Sequence, residues 1–245
     1  MLYKNGNEEE AVDVLEKAVK INKNEASLYL ILASIYEDKN DYKKSVDTLR
    51  DGLKYNDKNV EMIYNLGIAY DESGDKENSI AQMKKVLEID PNNADSLNYI
   101  GYSYADEGVN LDEAMDMIQR ALKVRPDSGA IIDSLGWVYY QKGLNDEALG
   151  FLEKAFAIKP DDPAIAEHLG DVYLKKNNYK KSLEMYEKAL SLKNQESGRI
   201  QEKIQDLKKN KHQQSMEIYE KVLSLKNQES DKILKKIKEV QKFLE

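Results

Sequence analysis

Apolar and polar residues along the chain follow the spacing of amphipathic helices, and one apolar pattern returns about every 34 residues. Its clearest marker is a tyrosine, which stands at Tyr36, Tyr70, Tyr104, Tyr139 and Tyr173, at separations of 34, 34, 35 and 34 residues. A glycine precedes four of these tyrosines by three residues, at Gly67, Gly101, Gly136 and Gly170. A period of this length predicts a stack of two-helix units instead of one globular core.

The other recurring residues indicate how the two helices of each unit pack and where they end. Gly67 and its equivalents let the first helix (helix A) approach the second (helix B) where no side chain fits. Small residues on helix B complete this contact, at Ser45, Ser79, Ala114, Ala148 and Ser182. Three prolines, Pro91, Pro126 and Pro160, end helix B because proline cannot continue the hydrogen-bonded ladder. The sequence therefore predicts antiparallel helix hairpins.

The set Leu-Gly-x-x-Tyr, then a Gly or Asn turn, a small residue and Pro, resembles the tetratricopeptide repeat (TPR). The resemblance implies an all-α fold, a right-handed superhelical solenoid of antiparallel helix hairpins. In this register five repeats cover residues 26–59, 60–93, 94–128, 129–162 and 163–196.

The two ends depart from this pattern. Residues 1–25 match only the end of a helix A and a helix B, so we expect a chain cut from a longer one, with a frayed natural cap as the alternative. Residues 197–229 form a degenerate repeat, because the segment 182–197 recurs at 215–230 with 13 of 16 residues identical. Residues 199–225 fit a hairpin or one long helix, and residues 230–245 an amphipathic capping helix.

The composition and the motifs disfavour several classes of function. The chain lacks cysteine, has 2 histidines and contains no phosphate-binding loop, metal motif or nucleophile elbow, so we expect neither an enzyme nor a metal or other cofactor. No apolar stretch is long enough to span a membrane. A net charge of −8 disfavours nucleic acid, although residues 197–245 carry 12 Lys and Arg against 8 Asp and Glu. Nucleic-acid binding through this basic tail is therefore the third hypothesis.

In the resembled family, the A helices line a concave groove that binds peptides or helices. Its groove positions fall here on Tyr64, Ile68, Asp71, Asn98, Tyr102, Asp106, Asp133, Trp137, Tyr140, Gln141, Glu167, Asp171 and Leu174. Trp137, the single tryptophan, is either a hot spot for a partner or a packing residue between neighbouring A helices. The acidic residues of the groove either form an ordinary hydrated surface or select partners that carry Lys or Arg.

Residues 97–174 resemble, more specifically, the C-terminal repeats of bacterial TPR proteins, several of which are outer-membrane lipoproteins. This resemblance implies an adaptor that tethers a C-terminal processing protease, located in the periplasm, with the cytoplasm as the alternative. The first hypothesis is thus a non-enzymatic scaffold that binds a basic or an apolar, aromatic protein segment in the groove. The second is a structural protein that self-assembles through its open ends.

Overall fold

The computed structural model describes residues 8–192 and 198–209, and every regular element in them is an α-helix. They belong to two compact units, which divide after Ile158. The first unit contains nine helices in its described part: α1 (Glu8–Ile21), α2 (Ala26–Asp38), α3 (Tyr42–Leu53), α4 (Val60–Glu72), α5 (Lys76–Ile89), α6 (Ala94–Asp106), α7 (Leu111–Val124), α8 (Gly129–Gln141) and α9 (Asn145–Ile158). The second contains α10 (Pro163–Lys175), α11 (Tyr179–Leu192) and a helix over residues 198–209, here α12.

Helices begin and end where the repeated polar, glycine and proline residues stand. The side chains of Asn59 and Asn93 accept hydrogen bonds from backbone amides in the first turns of α4 and α6. Pro91 and Pro126 each follow the last residue of a helix B by two positions. The longer turn before α7 places both Gly108 and Asn110 in the left-handed region, at φ +69° and +48°. This turn absorbs the extra residue of the 35-residue interval.

In four of the hairpins, helix A (α4, α6, α8 or α10) packs against its own helix B through the repeated glycine. A Cβ added to Gly67 would lie 2.8 Å from Met83 Cε, and one added to Gly136 would lie 2.7 Å from Leu152 Cγ. The small helix B residues opposite are fully buried. Hairpins then stack within the first unit, because each helix B also contacts the next helix A, and α6 contacts α8. The core of this unit is therefore continuous along the stack.

The N-terminal helix packs on α2 by apolar contacts and two tyrosine hydroxyl groups. Tyr36 donates a hydrogen bond to Glu16 Oε1 at 2.7 Å, and Tyr29 donates to the backbone carbonyl of Val19 at 3.3 Å. Burial, the hydrogen bond to Glu16 and its negative charge raise the pKa of Tyr36 to about 12. The α1 helix is thus joined to the first complete hairpin.

In the second unit, α11 packs on α10, and the apolar residues of α12 are buried. Those residues, Ile200, Ile204 and Leu207, stand where a helix A of the degenerate repeat is predicted. The predicted end of a helix A before Glu8, the choice between a hairpin and a long helix after residue 209, and the capping helix at 230–245 lie outside the described residues.

Candidate partner-binding face

The predicted groove residues of the first unit stand on three successive A helices, α4, α6 and α8. We call this set the α4–α6–α8 face. Most of its members are half-buried and Asp106 is exposed, while Asp133 and Trp137 are buried. The half-buried members are Tyr64, Ile68, Asp71, Asn98, Tyr102, Tyr140 and Gln141. Their partial exposure is compatible with a surface that contacts a partner.

The aromatic residues of this face join the core of the first unit. Tyr102 and Tyr140 pack against the same apolar cluster that contains Trp137. The indole of Trp137 is 7% exposed and stacks on Tyr140, with ring centroids 4.8 Å apart and planes 14° from parallel. In this conformation, a partner would meet the tyrosine rings before the indole. The assignment of Trp137 as a hot spot stays a prediction.

Acidic residues of the face differ in their surroundings. The hydroxyl of Tyr99 accepts a 2.8 Å hydrogen bond from Ser79 Oγ, and the Asp71 carboxylate acts on the same hydroxyl. Burial and the negative charge of Asp71 raise the pKa of Tyr99 to about 12. Asp106, by contrast, is exposed at the last turn of α6. Only some of these carboxylates are therefore fully hydrated.

Two further polar groups lie on α6. The Asn98 Oδ1 atom is sheltered from solvent and has no hydrogen-bond partner within the described part of the chain. Asp95, one turn earlier, makes a two-pronged ion pair with Arg125, with N–O distances of 2.7 and 2.8 Å. Burial and the charge of Asp95 raise the pKa of Tyr64, and Arg125 opposes this effect. A basic residue that sequence analysis did not single out thus borders the face.

In the second unit, the predicted groove residues Glu167 and Asp171 are buried, and α12 supplies their basic partners. Arg199 Nε lies 2.8 Å from Glu167 Oε1, and Lys203 Nζ lies 2.6 and 2.8 Å from the two carboxylate oxygens of Asp171. Burial alone raises the pKa of Glu167, but Arg199 and Lys203 outweigh it and bring the value to about 2. Leu174, the third predicted residue here, is half-buried.

From the sequence, Arg199 and Lys203 are predicted only as part of the basic tail, although the chain carries a more specific signal for Lys203. Lys203 follows Leu169 by 34 residues, so it stands at a position that is apolar in the preceding repeats. A charge at an apolar repeat position indicates a buried partner of opposite charge. Two acids predicted to face a partner are instead paired within the second unit.

In the described residues, no group of three or more histidine, aspartate or glutamate side chains could hold a metal ion. None of the helices described here is both long and apolar enough to cross a membrane.

The repeated helix pairs define the class of this molecule, an α-helical repeat protein. Family models described as tetratricopeptide repeat match residues 1–25, 26–59, 60–93, 109–163 and 139–205, so the chain belongs to the tetratricopeptide repeat family. Members of this family are in general non-enzymatic scaffolds for protein–protein interaction. No curated protein sequence gave a match to the chain.

Solved structures share the fold at low sequence identity. The TPR protein TTC0263 of Thermus thermophilus is 20% identical, with a TM-score of 0.62, 74% of this chain covered and 98% of that one. A structure of the APC/C hetero-tetramer Cut9–Hcn1 gives a TM-score of 0.73 at 15% identity, over 86% of this chain and 41% of that one. MamA (residues 41 to the end) of Desulfovibrio magneticus RS-1 gives 0.57 at 19% identity, over 71% and 97%. These similarities confirm the predicted solenoid fold.

Proposed function

We propose that this chain is a scaffold that binds a protein segment on its α4–α6–α8 face. The observation that supports the proposal most is that each of these three successive A helices carries a half-buried tyrosine at a predicted groove position. They are Tyr64 on α4, Tyr102 on α6 and Tyr140 on α8, and the ring of each packs against the apolar core while part of the residue stays exposed. Aromatic residues of this kind concentrate binding energy in protein interfaces.

The charge of the same face suggests which segment it selects. Asp71 and Asp106 carry carboxylates on it, whereas Arg125, which borders it, is paired with Asp95. A partner with Lys or Arg next to apolar residues would be attracted by these carboxylates and steered toward the rings. We therefore propose a basic amphipathic segment as the preferred ligand.

The single tryptophan provides a direct assay, because Trp137 stacks on Tyr140 of this face. Three helical peptides of equal length and apolar content, with basic, neutral or acidic polar residues, would be titrated while Trp137 fluorescence is followed. The basic peptide should bind best, and its affinity should fall as salt is raised. Equal binding of the three peptides would refute the charge selection.

Variants locate the site. Tyr102→Ala should weaken binding of the basic peptide by roughly 1–2 kcal/mol, because a half-buried ring is removed from the contact. Asp106→Asn should make binding less dependent on salt. Tyr55→Ala and Asp47→Asn are the matched controls, since both residues are exposed away from this face. If the controls weaken binding as much as the face variants, the site is elsewhere.

Self-assembly is a second candidate function, and an exposed residue of α2 favours it. Ile31 is 49% exposed, while its equivalents Ser134 and His168 in later repeats are buried. Val14 of α1 is another large apolar residue left exposed. We propose that these two apolar side chains belong to a surface that accepts a second copy of this chain. Light scattering over a concentration series should show association, and Ile31→Asp should abolish it.

The resemblance of residues 97–174 extends the scaffold proposal to a C-terminal processing protease as partner, in the bacterial periplasm. Direct titration of such a protease against the whole chain, with Tyr102→Ala as the comparison, tests this partner. Absence of binding at micromolar concentrations would reject it.

A further inference from the structure

Leu144 breaks a rule that other hairpins follow at the start of helix B. Before α3, α5 and α11, a polar side chain accepts a hydrogen bond of 3.1 to 3.3 Å from an amide of the first helical turn. These capping residues are Asp41, Asp75 and Asn178. Leu144 occupies the same place before α9, because its amide donates to the carbonyl of Tyr139 and its carbonyl accepts from the amide of Ala148. A leucine side chain has no acceptor atom, so it cannot cap α9.

The preceding hairpin shows the same departure. Val109 makes the equivalent backbone hydrogen bond, to the carbonyl of Tyr104. Asn110 follows it as the extra residue of this turn, and its side chain makes no capping bond to α7. The loss of an N-cap weakens a helix. Val109 is 43% and Leu144 40% exposed, so burial of the apolar side chains offsets this loss only in part.

The residue after Leu144 departs from the pattern as well. Asn145 begins α9, whereas α3 and α11 begin with the half-buried residues Tyr42 and Tyr179. The Oδ1 atom of Asn145 is sheltered from solvent and has no hydrogen-bond partner among the described residues. Compared with those two hairpins, the polar and the apolar residue have exchanged places. Local rules broken without a gain in stability are expected at functional surfaces.

The two turns, residues 106–113 and 142–147, lie side by side, as the ion pair between Lys142 and Asp112 shows. They carry six exposed carboxylates against this one lysine, and Lys76 of α5 lies 3.9 Å from one of them. Those at the C-terminal end of α6 stand where the helix dipole disfavours a negative charge. The six residues are Asp106, Glu107, Asp112, Glu113, Asp146 and Glu147.

We propose that Val109 and Leu144 form a docking surface for one end of the basic segment that the α4–α6–α8 face binds. The two side chains contact apolar residues of that segment, and the carboxylates around them attract its Lys or Arg residues. The surface continues the face along the chain, because Asp106 precedes Val109 by three residues and Tyr140 precedes Leu144 by four. The inference rests on the function proposed for that face, and it extends the site from the A helices onto two hairpin turns.

One substitution should raise stability and lower affinity together. Leu144→Asn supplies the missing N-cap without adding charge, so the urea midpoint of the first unit should rise. The same variant should bind the basic helical peptide at least about fivefold more weakly, because an apolar contact is lost. Ile158→Asn is the matched control, since Ile158 is 42% exposed at the other end of α9. This control should bind the peptide as the wild type does.

A footprint tests the other turn directly. The chain has no cysteine, so Val109→Cys and Ile158→Cys each introduce a single reactive thiol. Saturation with the basic peptide should slow alkylation of the thiol in Val109→Cys several-fold, because the bound segment covers it. Alkylation in Ile158→Cys should keep its rate.

The outcomes separate this inference from the function on which it rests. Wild-type affinity in Leu144→Asn, or an unprotected thiol in Val109→Cys, would overturn the docking surface, while weaker binding by Tyr102→Ala would leave the face proposal intact. If Tyr102→Ala also binds as the wild type does, both proposals fall. An equal loss of affinity in Leu144→Asn and Ile158→Asn would overturn the inference too, because the peptide would then adhere to any exposed apolar side chain. A lower urea midpoint in Leu144→Asn would refute the capping argument and the inference with it.

Discussion

Gly101 provides the sharpest test of how the hairpins are built. It stands on α6 where α7 crosses, and a Cβ added there would lie 2.6 Å from Ile118 Cγ1 and 3.0 Å from the backbone carbonyl oxygen of Ala114. Both neighbours are fully buried, and the carbonyl belongs to the helix itself. A Gly101→Ala substitution can therefore be relieved only by moving α6 and α7 apart.

The expected magnitude follows from two opposing effects. Alanine favours a helix over glycine by about 1 kcal/mol, which stabilises the variant. Forcing an extra methyl into a close-packed contact costs roughly 1–3 kcal/mol, and the backbone contact places Gly101 at the upper end. We expect a net loss of about 2 kcal/mol in the free energy of unfolding of the first unit.

Gly150 is the matched control, because it lies within α9 of the same unit and nothing stands within 4 Å of an added Cβ. Gly150→Ala should gain up to about 1 kcal/mol from helix propensity alone. Urea unfolding followed by Trp137 fluorescence would measure both variants in the first unit, with circular dichroism as a second probe. A Gly101→Ala variant as stable as the wild type would refute the close-packing argument.

Three further predictions concern polar contacts. The pKa of Glu167 is lowered to about 2 in the folded chain, so its stabilising effect should be complete above pH 4.5 and be lost as pH falls toward 2. An acid titration would follow the protection factors of the α12 amides, which correct for the pH dependence of intrinsic hydrogen exchange. Protection factors that stay constant would contradict the prediction. Tyr186→Phe should cost roughly 1–3 kcal/mol in urea unfolding, because the buried Asp171 carboxylate loses one of its two donors, whereas Tyr179→Phe, at an exposed hydroxyl, should cost less than about 0.5 kcal/mol. Arg125→Ala breaks an exposed ion pair and should change thermal stability by no more than about 1 kcal/mol, and a larger loss would indicate a structural role.

The positions of the helices were predictable from local signals. The tyrosine and glycine period places the helix pairs, and the prolines and left-handed glycine or asparagine residues mark their ends. These signals are strong because each one depends only on contacts within its own hairpin. A glycine, for example, is required where helix A crosses helix B too closely for a Cβ. Because the same residues recur in successive repeats, a match to this register by chance is improbable.

The surroundings of the candidate binding residues were less predictable. Trp137 and Asp133 occupy predicted groove positions, yet both are buried, while Tyr102 at the same repeat position as Trp137 is half-buried. The position within the repeat gives the direction of a side chain from its helix axis. How much solvent it meets depends on the neighbouring hairpins, whose side chains differ from repeat to repeat.

Sequence alone determined that this chain forms helix hairpins, where each begins and ends, and which family it belongs to, because those properties arise from residues within one repeat length. The tertiary structure decided that Glu167 and Asp171 pair with Arg199 and Lys203. Those partners are 32 residues apart in sequence, and their contact depends on the packing of α12 against α10. Charge pairing across such a distance becomes visible only when both helices are placed in space.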